Sequence, residues 1–540
     1  MHRPSRKIIK NAVSGMPASA AVWPERRARH LRVAIPLAFA TLILGGCANL
    51  QPEPLSAPEI LSASLADREV MQQGIEPLQG PLTLEEAIAR AIKYNLERRV
   101  RIMDEAVARG QLSVGKFDML PKLLASAGYR ERDKDLITRS KDSVTGEPSL
   151  SHPYISSEKS ATTTDLSFTW SLLDFGQSYF ASKQNADRAL IAAEHRRKAL
   201  HLLIQDVRTA FWRAASAQKL KTEVRATITA AEEALSDARK AEAERLRNPL
   251  DALRYQRQVL ENLRLLEGID QELSTAKVEL ASLTNLGLTQ MIVVAEPDGL
   301  PNPKWLEIPV EQMEEQAIGQ NADLRESFYN ARIASQETRR TLLRIFPGLS
   351  FNYGQKSSDD SYLINQRWSE FGAQLSFNLV GLISAPAQWR LAEAGVALAD
   401  QRRMATQMAV LTQVHLARLQ YGNAYRQYER ADAIARVDNE IAGHMEKREQ
   451  AQTQTRLDRV ANQTSAILSQ LRRYQALAQV HAAASKFQAT LGMEPVVDGS
   501  QSMPLAELSQ VVGASLKKWD EGRLEMPTSQ AQPTSLISAR

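Results

Sequence analysis

The sequence predicts a mainly α-helical chain that carries membrane β-strands, built as two repeats of a helix, a β-hairpin and a long helical hairpin. Three observations predict this class. Short motifs recur at fixed offsets, four short stretches alternate apolar with polar side chains, and two long stretches carry apolar heptads. With 25 glycines and 23 prolines in 540 residues, the chain is not expected to be disordered throughout.

The duplication is visible in motifs on both sides of one insertion. The recurring pairs are 91–95 with 317–321 and Pro121 with Pro347, at an offset of 226, and Leu250-Asp251 with Leu457-Asp458 and Trp170 with Phe377, at an offset of 207. The two offsets differ by 19 residues, and the difference arises between Pro121 and Trp170. One longer loop in the first repeat therefore explains both offsets.

The first 46 residues are predicted to be a lipoprotein signal peptide. They hold eight Lys or Arg and one acid, which leaves 59 basic and 61 acidic residues in the rest of the chain and little support for nucleic-acid binding. Residues 33–44 are apolar but too few to span a bilayer, and they end in Leu-Gly-Gly-Cys, which resembles the bacterial lipobox. We expect Cys47, the only cysteine, to be lipidated and to become the amino terminus; an uncleaved signal anchor is the alternative. The next residue, Ala48, resembles the sorting signal of lipoproteins that are sent to the outer membrane.

Four stretches have the period-two alternation of strands with one apolar face. Their apolar residues are Leu123, Ala125, Ala127 and Tyr129; Leu166, Phe168, Trp170 and Leu172; Leu349, Phe351 and Tyr353; and Phe371, Ala373, Leu375, Phe377 and Leu379. Strands of about ten residues with this pattern and many aromatics are typical of outer-membrane barrels. A soluble β-sandwich would alternate in the same way, but the lipobox favours the membrane.

The long helices are predicted from apolar residues at spacings of three and four. In the first repeat the series is Leu200, Leu203, Val207, Ala210, Ala214, Ala217, Val224, Ile228, Ala231, Leu235 and Ala238, and in the second it is Val410, Val414, Ala417, Tyr421, Ala424, Tyr428, Ala431 and Ala435. Such seams pack helices side by side over a long distance. A helix over about 178–246 would be roughly 100 Å long, far more than a globular domain needs. We expect Met404 and Met408 to be core residues rather than metal ligands.

The strand count predicts an oligomer. Backbone polar groups in a bilayer must all be paired, so membrane strands require a closed barrel, and the smallest common barrels have about eight strands. Four strands per chain cannot close one, and two chains would give a barrel filled by its own side chains. Three chains would give a 12-stranded β-barrel with a wide lumen, continued by an α-helical barrel in the periplasm. The sequence therefore predicts a homotrimer.

The motifs also resemble a known family, the TolC-like outer-membrane factors. Residues 81–88 (PLTLEEAI) with Asn95 are similar to the opening of that family, and Leu250-Asp251-Ala252-Leu253 and Leu457-Asp458-Arg459-Val460 are similar to its helix-tip motif. The resemblance covers roughly residues 81–495. It implies a trimeric outer-membrane channel that passively exports small molecules such as drugs and toxic compounds. It also implies a periplasmic adaptor protein and an inner-membrane pump of the RND type as partners. The second tip departs from the family pattern at Ala461 and Asn462.

Two other functions stay open at this point. The exit duct of a type I protein secretion system would have the same fold, although lipidation favours efflux. A periplasmic adaptor also has helical hairpins, but the duplicated amphipathic strands argue against it.

We expect no enzyme, no metal site and no cofactor other than the covalent lipid on Cys47. The eight histidines are scattered, and no glycine-rich phosphate loop precedes a helix. Function is expected at the periplasmic tips instead, where three copies of an acid would form a ring that favours cations. The candidate gate residues are Asp458, Asp251, Gln454, Arg456 and Arg247. A helix-capping role for the two acids is the alternative.

The predicted segments follow in chain order. They are the signal peptide at 1–46; a lipidated tether at 47–80; the first efflux repeat at 81–290, with its hairpin at about 121–174 and its tip at about 247–251; a linker at 291–309; the second repeat at 310–495, with its hairpin at about 347–380 and its tip at about 454–458; and a tail at 496–540 that packs near mid-tunnel.

Overall fold

A computed structural model describes residues 53–139, 141–148, 153–244, 249–295, 303–451, 456–493, 500 and 502–522. The chain divides into two compact units, residues 1–73 and 74–540. The first unit contains helix α1, Ala57–Gln72, which the sequence analysis did not predict. Ser56 and Glu59 form a capping box at its start, and none of its residues is buried.

The second unit repeats one series of elements twice. The first copy consists of α2 (Leu84–Tyr94), α3 (Leu96–Gly115), β1 (Lys122–Glu131), β2 (Ile137–Thr138), β3 (Tyr154–Ile155), β4 (Ser160–Ser171), α4 (Leu172–Ala243) and α5 (Pro249–Thr284). The second consists of α6 (Val310–Gln320), α7 (Ala322–Leu343), β5 (Gly348–Ser358), β6 (Arg367–Ser376), α8 (Leu379–Gln450) and α9 (Arg456–Thr490), and α10 (Leu505–Asp520) follows it. The predicted order of helix, hairpin and long helical hairpin is thus confirmed in both copies.

The two copies match closely in length. Helices α4 and α8 have 72 residues each and begin 207 positions apart, as the sequence offset requires. At about 1.5 Å per residue each is roughly 108 Å long. The short pair β2–β3 has no counterpart among the described residues of the second copy, and it lies in the longer loop of the first.

Four strands form one antiparallel sheet in the order β1-β4-β5-β6. The helices that leave the sheet keep the same order, because α3 contacts α4, α4 contacts α7 and α7 contacts α8. Farther along, α4 pairs with α5, α8 pairs with α9, and α9 also packs on α4. The unit is therefore a sheet continued by a layer of helices, with β1 and α3 on one edge and β6 and α8 on the other.

The predicted heptad seams form the core between the helices. In α4 every seam residue is buried except Ile228, which packs against the core, and in α8 the same holds except for Ala431. The prediction for the two methionines is wrong, because Met404 and Met408 are exposed on α8.

Two strand ends are also corrected. Leu172 and Leu379, predicted to continue strands, are instead the first residues of α4 and α8. The side chain of Ser171 accepts the amide of Asp174, and that of Asn378 accepts the amide of Gly381, so both helices are capped at this point. Phe377 follows the end of β6 at Ser376.

Candidate functional site

The sheet has one apolar and one polar face, and neither is covered within the described chain. Strand pairing aligns Leu123 with Phe168, Phe168 with Tyr353, and Tyr353 with Phe371, so one apolar row crosses all four strands. Their exposed fractions are 69%, 40%, 44% and 73%, respectively. Exposed apolar side chains in a continuous row are suited to contact lipid.

The opposite face carries polar and charged groups. Thr169 is paired with Asn352, and Asn352 with Gly372, in the row next to the apolar one. One side of this face holds an ion pair in which Lys356 Nζ lies 2.6 Å from Glu370 Oε2. The alternation expected from the sequence is thus carried in register across the sheet, which gives a surface suited to water opposite one suited to lipid.

In each repeat, an asparagine at equivalent positions links the two short helices to the last helix of the repeat. Asn95 and Asn321 each end one short helix and cap the next, since Asn95 Oδ1 accepts the amide of Arg98, and Asn321 Oδ1 those of Asp323 and Leu324. Each amide group also reaches the end of the last helix of its own repeat. Asn95 Nδ2 donates to the carbonyl of Leu283 at 3.2 Å, and Asn321 Nδ2 to that of Thr490 at 2.9 Å. The sequence showed the recurrence of this asparagine but not these bonds.

A buried polar cluster joins α10 to the long helices. Arg208 Nη1 donates to Ser485 Oγ at 2.8 Å, and its guanidinium lies 5.3 Å from the ring centre of Trp519. Burial lowers the pKa of Arg208 to about 10. His481 stacks on Trp212 with ring centres 4.8 Å apart. Burial, with a smaller contribution from the charge of Arg208, holds the pKa of His481 well below its ordinary value. No sequence motif pointed to this cluster.

The helix tips place the two candidate acids in equivalent positions. Asp251 lies in the first turn of α5 and Asp458 in the first turn of α9. Asp251 is exposed, and its Oδ1 lies 3.7 Å from Arg254 Nη1. Asp458 is partly exposed, and its backbone carbonyl accepts a hydrogen bond of 2.7 Å from Asn462 Nδ2.

The two tips are held by different contacts. Glu242 of the first hairpin accepts a hydrogen bond of 2.5 Å from Gln256, whereas Glu449, its equivalent at offset 207, forms an ion pair of 2.7 Å with Arg459. Gln463, the equivalent of Gln256, instead donates to Glu223 on α4 at 2.8 Å and joins the second hairpin to the first. Among the described residues, the two helices of the second hairpin are therefore joined by a charge pair at a position where those of the first are joined by a neutral donor.

The remaining candidates lie outside the described residues. These are Cys47, Arg247 and Gln454; Arg456 begins α9, but its side chain is not among those described. Of the helices that the structure describes, none combines the length and apolar character needed to cross a bilayer. Within the same residues, no cluster of three or more His, Cys, Asp or Glu is placed to hold a metal ion.

Comparison with known proteins gives structural matches only. No protein-family model matches the sequence, and no curated protein matches it. A membrane protein from Pseudomonas aeruginosa is 17% identical, with a TM-score of 0.58 over 78% of this chain and 92% of that one. The CmeC outer membrane channel of Campylobacter jejuni is 12% identical, with a TM-score of 0.60 over 82% of this chain and 90% of that one. The open state of the MtrE outer membrane channel of Neisseria gonorrhoeae is 16% identical, with a TM-score of 0.55 over 76% and 89%. The chain therefore has the fold of the TolC-like outer-membrane channels that its sequence resembles.

Proposed function

We propose that this chain is one subunit of a homotrimeric outer-membrane channel that passively conducts small molecules, such as drugs and toxic compounds, from the periplasm to the exterior. One observation carries the proposal. A four-stranded sheet with an exposed apolar row and an opposite polar face continues into helices of 72 residues. The likeness to solved outer-membrane channels supports it.

The two edges of the sheet support a homotrimer. Strands β1 and β6 are its outermost strands, and in a bilayer their outward backbone groups need partners. Three copies pair every edge and give twelve strands with a water-filled lumen. In that arrangement the apolar row faces lipid, and the face with Lys356 and Glu370 lines the lumen.

We further propose that the channel belongs to a tripartite efflux system, docked to a periplasmic adaptor and an inner-membrane pump of the RND type. A passive conduit needs a partner that supplies energy, and the tips of the two helical hairpins are the part of the chain farthest from the sheet along α4 and α8. We also propose that the protein lies in the outer membrane, anchored by its barrel and by a lipid on Cys47, and extends into the periplasm.

A gene deletion tests the transport function. Loss of the gene should raise the sensitivity of the cells to toxic small molecules, and a plasmid copy should restore resistance. Proteins secreted into the medium should be unchanged in the same strains. Unchanged resistance together with the loss of a secreted protein would contradict the efflux proposal and favour a type I secretion duct.

A further inference from the structure

We propose that a second copy of this chain packs its helix α3 on helix α8 through an apolar seam, in the register that α4 and α7 adopt within the chain. This inference rests on the proposed homotrimer and assigns the residues of its helical interface.

The contact between α4 and α7 joins the two repeats and supplies the template. Its charged and polar groups pair across the interface. Arg332 binds Asp187, Arg325 Nε lies 2.8 Å from Glu194 Oε1, Lys198 Nζ lies 2.8 Å from Asp323 Oδ1, and Gln184 Nε2 donates to Glu337 Oε2 at 2.8 Å. On α4, Gln184, Asp187 and Glu194 are at most 4% exposed, because the second repeat covers them.

The duplication identifies a helix contact that one chain cannot make at the two edges of its helical layer. An offset of 207 takes α4 to α8, and an offset of 226 takes α3 to α7, so the contact equivalent to α4–α7 is one between α8 and α3. Within one chain these two helices lie at opposite edges of the helical layer. The equivalents of the buried Gln184, Asp187 and Glu194 are Leu391, Ala394 and Gln401, and all three are exposed. At these positions α4 is covered by α7 of the second repeat, whereas α8 is not covered by any helix among the described residues of its own chain.

Helix α3 carries the complementary surface. Apolar residues follow each other at heptad spacing along its uncovered side, and all are exposed: Leu96, Val100, Met103, Val107 and Val114. Phe117, in the short turn just after the end of α3, continues this spacing and is also exposed. Val100 and Val107 are the equivalents of Glu326 and Ile333, which lie at the α4–α7 contact. An apolar stripe at this spacing is typical of a helix that packs along another helix. On α8, Ile383 and Leu391 are 83% and 75% exposed at the matching positions.

The chemistry of the two interfaces differs at equivalent positions. The charged pair Asp187 and Arg332 within the chain becomes Ala394 and Ala106 between chains. At the end near the sheet, Leu343 lies against Gly176, whereas the equivalents Phe117 and Ile383 are both large, so the helices separate more widely there. The contact within the chain is thus ionic, and the contact between copies is apolar and should depend little on salt.

A second copy is the occupant because the two surfaces lie at opposite edges of one layer. The sheet ends at β1 on the side of α3 and at β6 on the side of α8. A neighbouring copy that pairs its β1 with β6 of the first also brings its α3 beside α8. The same rotation therefore closes the sheet and covers both apolar surfaces.

Cysteine crosslinking tests the register. Ala106→Cys and Ala394→Cys replace two exposed small residues, and in the assembled protein they should face each other across neighbouring chains. A short thiol crosslinker should shift most of the double variant into bands of two and three chains. On the same denaturing gel, each single variant should run as one uncrosslinked chain. Ala106→Cys combined with Gln401→Cys moves one partner by one heptad, about 10 Å along the helix, and should crosslink poorly.

The outcomes separate this inference from the homotrimer itself. Native mass spectrometry of each variant reports the number of chains before crosslinking. If the protein has three chains but positions 106 and 394 do not crosslink, the proposed register is wrong and the homotrimer stands. The same holds if the shifted pair at 106 and 401 crosslinks as well as the pair at 106 and 394. A single chain in native mass spectrometry of the unmodified protein would overturn both.

Discussion

Asp458 and Asp251 occupy equivalent positions one residue into each tip motif, at the amino ends of α9 and α5. An acid there is favourable in any case, because it faces the positive end of the helix dipole. In a homotrimer, threefold symmetry would in addition bring three copies of Asp458 toward one another. We propose that they form an acidic ring that favours cations.

Asp458→Asn should weaken the preference for cations and the block by divalent cations in planar bilayers, without loss of assembly. The double variant Asp251→Asn/Asp458→Asn should weaken both further. Glu261→Gln is a matched control, since it removes an exposed acid of α5 roughly 15 Å farther along the helix. If selectivity is the same in all variants, the two acids act at the helix ends only.

Cys47 follows an apolar run that ends in Leu-Gly-Gly. Because the thiol is the only one in the chain, a fatty-acid probe reports on this position alone. Cys47→Ser should abolish labelling and leave the precursor uncut, while Cys47→Ser protein still assembles through its barrel. Labelling that persists in the variant would exclude lipidation at this residue.

His481 should make the folded protein sensitive to acid. Its pKa is held well below the ordinary value in the folded state, so near pH 5 the unfolded chain binds a proton that the folded chain does not. Stability from this residue is therefore complete above about pH 6.5 and falls by roughly 1.4 kcal/mol per pH unit below it.

His481→Phe keeps an aromatic ring beside Trp212 and removes the titration. The unfolding temperature should fall less between pH 7 and pH 5 in the variant than in the native protein. His444→Phe, at an exposed position of α8, is the control for replacing a histidine by phenylalanine. Equal pH dependence in the native protein and His481→Phe would show that other groups govern acid stability.

At the scale of elements, the duplicated asparagines tie short helices to long ones. Asn321→Ala removes the two capping hydrogen bonds of α7 and a buried hydrogen bond to Thr490, and should lower the free energy of unfolding by about 2 kcal/mol. Asn95→Ala should cost less, about 1 kcal/mol, because Asn95 is only partly buried and accepts one amide. Asn330→Ala on the exposed side of α7 is the control, and chemical unfolding of all three gives the comparison. An equal midpoint for Asn321→Ala and Asn330→Ala would contradict this role.

The sequence predicted the elements where one periodicity holds over many residues. The seam of α8 from Val410 to Ala435 follows heptad spacing, and the structure buries it except at Ala431, which is partly buried. The alternation of strands failed at their ends, because Leu172 and Leu379 continue the apolar pattern into the first turn of a helix. There the caps decide the boundary, and alternation carries no information about them.

The candidate site was predicted less completely than the fold. Recurrence in the sequence located Asp251 and Asp458, but it did not show that Glu449 pairs with Arg459 while Glu242 pairs with Gln256. The cluster of Arg208 and His481 has no local sequence pattern, because Trp519 of α10 lies 311 positions after Arg208. Met404 and Met408 were misassigned because apolar spacing alone does not distinguish a core from an exposed helix face.

For the whole molecule, the proposed assembly has a definite size. Four strands per chain give a closed barrel with a lumen when three chains combine. Native mass spectrometry of the protein purified in detergent should show three chains, and the count should not depend on protein concentration within the usual range. A folded single chain in a bilayer would contradict the strand count and the architecture together.

The equal length of α4 and α8 limits how this protein can change in evolution. A deletion of seven residues in α4 alone would raise one hairpin tip by about 10 Å relative to the other. It would separate Gln463 from Glu223. The two hairpin tips would then no longer lie at one level, and a partner that contacts both tips would lose part of its binding surface. Heptads deleted together from both arms of both hairpins would keep every seam in phase. Related chains should therefore differ in tunnel length by whole heptads that are gained or lost in both repeats, and a single-repeat change should be rare.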